Sequence, residues 1–139
     1  MNTQNEPLNG WSFKTDNETA FRSYTDEMYT FARECAEQPS EGSALNACGA
    51  TRLVWETVEG MTLADVPIDR DLLVRAIQGI VLCIKAVSAI HIPAAPRIDQ
   101  HLVDMTGAIT RRRDDLSVLL HEGKMAFIRR LKTGHPAMA

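Results

Sequence analysis

Four histidines, three cysteines and two pairs of adjacent acids are the residues of this chain whose types could do chemistry. Their spacing argues against it. His91, His101, His121 and His135 form neither HExxH nor ExxH, so no two of them are set to grip a metal from one helix face. Cys35, Cys48 and Cys83 have no metal-ligand spacing; each falls on the apolar face of a predicted helix and reads as a small, reduced hydrophobe. Asp26-Glu27 and Asp114-Asp115 are adjacent, and neighbouring helical residues point in different directions, so neither forms an acid/base pair. They read instead as balance for nearby arginines. GxGxxG, Walker A and GxSxG are all missing from the sequence. The expectation is a non-enzymatic protein with no catalytic residue, no metal site and no cofactor.

The cationic residues carry a second possibility. Arg111, Arg112, Arg113, Lys124, Arg129, Arg130 and Lys132 crowd into residues 111–132. Six of them, all but Arg112, could contact phosphates in a DNA- or RNA-binding regulator. The competing reading is a solvated face that also pairs with acids elsewhere. Asp114, Asp115 and Glu122 interrupt the run and aromatics for base stacking are few, so the solvated face is preferred. Charge is split along the chain. Residues 1–69 hold twelve acids and four bases, a balance of -8; residues 70–139 hold six acids and eleven bases, a balance of +5. Either the halves complement each other in the fold, or a basic face meets an anionic partner.

Arg130 to His135, RLKTGH, has the Arg-x4-His spacing that resembles the active-site signature of HEPN ribonucleases, helical bundles that commonly dimerise. The resemblance spans six residues. It implies an arginine and a histidine on a helix, meeting across a dimer. Here Gly134 and Pro136 surround the histidine where the family has a helix, so no site is carried over.

The elements that must position these residues are helical. Asp69 to His91 is apolar around most of its circumference; Asp71, Arg75, Gln78 and Lys85 make one polar stripe about 80° wide. Such a helix needs cover on several sides and reads as the central helix of a bundle, or as one partly buried by a second subunit. Asp69 is its N-cap, and Pro93 and Pro96 end it. Before it, Thr15 and Glu18 have capping-box spacing and start a first helix over residues 16–37, with Phe21, Tyr24, Met28, Phe31, Ala32 and Cys35 on one face. A second helix is expected over 44–59 with Ser43 as N-cap. Residues 51–58, TRLVWETV, also suit a strand, but an isolated strand would have nothing to pair with.

The last segment keeps one apolar stripe from Ile98 to Phe127. As a single helix of ~36 residues it would be ~54 Å long and overhang its neighbours, which reach ~33 Å. It must overhang or break, with Gly107, residues 111–115 and Gly123 as break points. An overhanging stripe would need cover from another chain. Arg112 projects onto that stripe where a hydrophobe belongs. It would pair with an acid of the first helix, mark a partner interface, or reach out to water.

Apolar residues are 45% and charged residues 24% of 139, the balance of a single globular domain. Residues 1–14 read as a polar leader in which Trp11 and Phe13 could anchor, and residues 133–139 as a frayed tail. The N-terminus lacks the basic and apolar regions of a secretory signal, and the longest apolar run is too short for a bilayer. The sequence therefore points to an all-α, four-helix bundle-like domain, soluble and cytoplasmic. Its expected function is to bind a protein partner or a second copy, as an inhibitor, an antitoxin or immunity-type protein, or a regulatory adaptor. Arg112, Leu116, Leu119, Leu120 and Phe127 are the candidate contact residues.

Overall fold

The computed structural model describes residues 10–91 and 95–133, with side chains from residue 16 onward. Five helices make up the described chain: α1 (Gly10–Glu37), α2 (Glu41–Leu63), α3 (Arg70–Ser88), α4 (Pro96–Glu122) and α5 (Lys124–Thr133). No strand occurs among the described residues. Residues 51–58 lie inside α2, where Thr51, Val54 and Val58 share its buried face.

Helix ends follow from local chemistry, with two corrections. α1 starts at Gly10, so Thr15 and Glu18 lie within the helix and do not begin it. The anchoring expected of Trp11 and Phe13, and the tail beyond Thr133, lie outside the described side chains. α2 is capped by Ser40, not Ser43. The Ser40 hydroxyl accepts from the Ser43 amide at 3.0 Å, and the Ser43 hydroxyl in turn accepts from the Ser40 amide, also at 3.0 Å. Ser43 is the third residue of a capping box, which starts the helix one turn earlier. Asp69 caps α3 as expected, accepting from the Leu72 amide at 2.9 Å.

The short α1–α2 turn makes those helices antiparallel. Around the bundle the order is α1, α2, α4, α3, and α3 also touches α2 across the middle. Pairs across the seams show the directions. Glu41 meets His101 and Trp55 meets Asp115, so α2 and α4 run parallel. Tyr29 meets Arg75, and further along Cys35 and Ala86 share a groove, so α1 and α3 run parallel too. The core draws Phe21 and Met28 from α1, Val54 and Val58 from α2, Ile80 and Val87 from α3, and Met105 and Ile109 from α4. α3 buries Leu72, Leu73, Ala76, Gly79, Ile80, Cys83, Ala86 and Val87 against its three neighbours. On its outer side Leu82 stays 43% exposed.

The long C-terminal segment breaks at Gly123, whose φ of 94° is open to glycine and strained for other residues. α5 folds back along α4 from that point. Phe127 is fully buried and Leu131 packs on the core.

Candidate functional site

Two kinds of surface carry the polar chemistry and the open apolar area of this fold. The first is the seam of α2, α4 and α5. The second is a set of clefts between helix pairs.

In the seam, Asp115 is the one acid in the buried core, 1% exposed. Its carboxylate accepts from the Trp55 indole Nε1 at 2.9 Å and from the Arg130 guanidinium Nε. Three helices are joined at one carboxylate. One donor sits at each oxygen, so the group acts as a clasp for α5. One turn earlier, Arg112 Nη1 donates to the Cys48 carbonyl and the Thr51 hydroxyl, both at 3.1 Å. Arg112 is therefore turned into the α2–α4 seam, and its hydrogen bonds go to α2, not to an acid of the first helix. A small cleft of about 230 Å³ opens beside it, lined by Arg52, Trp55, Glu56 and Arg111 among others. Burial in this neighbourhood, with Glu56 and Asp115 nearby, pushes the Glu59 carboxyl above its usual range.

Of the residues expected to meet a partner, two are closed off in the core and Arg112, Leu119 and Leu120 are half-buried beside clefts. Leu116 and Phe127 are fully buried and hold α4 and α5 together. Leu119 and Leu120 are half-buried on the wall of a cleft near the α2–α3 loop. The apolar stripe of residues 98–131 is covered from within the chain, by α3 and α2 along most of α4 and by α5 near its C-terminal end. Val103, 63% exposed, and Met125, 65% exposed, are the large apolar side chains of that stretch left open.

The basic set is also partly engaged. Arg113 pairs with Asp114 at 2.9 Å, Lys124 with Asp65, and Arg130 with Asp115. Arg111, Arg129 and Lys132 take part in no ion pair among the described residues. Arg130, of the Arg-x4-His spacing, faces the buried Asp115, and His135 lies outside the described residues. Among the described residues no three His, Cys, Asp or Glu side chains converge to hold a metal, and no helix is long and apolar enough to cross a membrane.

The feature the sequence reading missed lies between α1 and the C-terminal half of α3. It is a groove of about 380 Å³ with a floor of Ala32, Ala36, Ala86 and Ala89. Leu82 and Ile90 form one wall, and the only charged residues lining it are Arg33 and Lys85. Alanines at i, i+4 on one helix facing alanines at i, i+3 on the other were visible as letters. Which helices would face each other was not. No protein-family model matches the chain, and no curated protein or solved structure matches it.

Proposed function

We propose that the protein works by binding another protein, taking an acidic amphipathic helix of its partner into the α1–α3 groove. The observation that carries this reading is the groove's composition. Alanines keep its floor shallow and smooth, Leu82 stands exposed at its edge, and the charged residues that line it, Arg33 and Lys85, are both cationic. An amphipathic helix binds such a groove with apolar anchors at i, i+3, i+4 and i+7. Glutamates flanking those anchors would meet Arg33 and Lys85, steering association and setting orientation. The mode suits an inhibitor, an antitoxin or immunity-type protein, or a regulatory adaptor, and it requires no catalytic group. A nucleic-acid role is less well supported, because Arg113, Lys124 and Arg130 already face carboxylates.

The test uses two fluorescent helical peptides with the same leucine stripe, one flanked by glutamates and one by lysines. The acidic peptide should bind with a Kd of about 10 μM, and Leu82→Asp or Lys85→Glu should weaken it about tenfold while circular dichroism is unchanged. Equal binding of both peptides, or insensitivity to both substitutions, would overturn the reading.

A further inference from the structure

Where the α2–α3 loop meets the α4–α5 break, a separate cleft of about 410 Å³ opens between Leu73, Leu119 and Leu120 on its apolar side and Arg70, Lys124 and Asp65 at its mouth. Thr62 also lines it. Thr62 is 4% exposed, and its hydroxyl is the buried side-chain polar atom without a hydrogen-bond partner among the described residues. A buried hydroxyl left unpaired is costly, and such atoms commonly mark a place where a ligand or water completes the structure. The cleft is also next to the start of α5. That helix begins after Gly123, which has no side chain to cap it, and its first turn contains no acid. α2 and α3, by contrast, are capped by Ser40 and Asp69. The uncapped amides of a helix N-terminus favour an anion.

We infer that this cleft is a binding site for a small amphipathic anion, a carboxylate or phosphate on a short apolar body. The head group takes the position at Lys124 that Asp65 holds in the free protein, with Arg70 and the first amides of α5 beside it. The apolar body lies along Leu73, Leu119 and Leu120. Asp65 sits at a φ of 62° in the loop and its carboxylate is largely exposed, so it can swing away without disturbing the core. The ion pair of Asp65 and Lys124 is thus a latch that competes with the ligand. This assignment is independent of the α1–α3 groove.

The competition gives the test its sign. Hexanoate and hexyl phosphate are titrated into the full-length protein and followed by amide NMR shifts, with hexan-1-ol and hexylamine as controls. Ligands of this size should bind with a Kd of about 1 mM, shifting residues 62–70 and 119–127 in particular. Asp65→Asn should tighten the better-binding anion several-fold and Lys124→Met should weaken it about tenfold, because one removes the competitor and the other removes the cation. Whichever of the two anions binds identifies the head group. The inference fails if neither anion saturates, if hexan-1-ol binds as well as the anions, or if Asp65→Asn and Lys124→Met leave the affinity unchanged. Both substitutions are at exposed side chains, so loss of folding is not expected to mask the result.

Discussion

Asp115 is a buried carboxylate whose partners come from two other helices, and that arrangement makes it sensitive to one-sided changes. Removing it by Asp115→Ala should cost about 3 kcal/mol, read from urea unfolding, because the Trp55 N–H and the Arg130 guanidinium lose their acceptor. Arg130→Met should cost a similar amount by leaving the carboxylate uncompensated. The double substitution should cost clearly less than the sum; a simple sum would mean the two residues do not act as a pair. The thiols follow the same logic of burial. Burial pushes the Cys83 thiol up to about 12, with Cys35 and Cys48 nearby adding to it. A native-state titration with a thiol reagent should therefore label the half-buried Cys48 first and leave Cys83 silent until the chain is unfolded. The sequence showed the cysteines as buried and Arg112 as misplaced on an apolar stripe. It did not show Asp115. Its acid lies at the edge of that stripe among three arginines, and its real partner is fifteen positions away beyond a chain reversal that spacing cannot reveal.

At the level of elements, the two C-terminal glycines of α4 and its boundary separate what helix periodicity can and cannot say. Both Gly107 and Gly123 were possible break points. Gly107 is in regular helix, and a Cβ there would meet only Arg111 Nη1, at 3.6 Å. Gly123 has open space around it but a φ of 94°. Gly107→Ala should stabilise the protein by about 0.5–1 kcal/mol. Gly123→Ala should destabilise it by about 1–3 kcal/mol through backbone strain alone, with no steric clash. Thermal unfolding of the two variants checks the sign of each; equal effects would mean the break is not set at Gly123. A third glycine fixes an interface: a Cβ on Gly79 would come within 2.6 Å of the Met28 methyl and 2.9 Å of the Tyr29 ring. Gly79 thus lets α3 approach α1 closely. The helical segments, their faces and the Asp69 cap were legible because they depend on neighbours in sequence, whereas the split of the last segment into α4 and α5 was left open. The serine that caps α2 was displaced by one turn, since Ser40 and Ser43 offer the same hydroxyl chemistry and only backbone geometry decides between them.

For the whole molecule, the opposed charge of the two halves turns out to be partly an internal match. Asp26 pairs with Arg75 and Asp65 with Lys124, each joining an acid of the first half to a base of the second, and Glu41 hydrogen-bonds His101 across the same divide. These pairs are exposed, so they orient the helices more than they stabilise them. The covering of apolar surface is the stronger constraint. The sequence carries more oily stripe on residues 98–131 than one straight helix could shelter, and this suggested a second chain. The fold answers that demand with α2 and α3 along most of α4 and, at its C-terminal end, with its own α5, which turns back at Gly123 and places Phe127 in the core. Cover by α5 and cover by a partner are physically equivalent there. A chain ending at Glu122 should accordingly lose the Asp115 clasp and expose Leu116, Leu119 and Leu120 together. Sedimentation velocity over about a hundredfold concentration range should show the shortened chain associating far more strongly than the full-length protein. If both behave alike, α5 is not what shields the stripe, and the surface between α4 and α5 would return as the place where a partner binds.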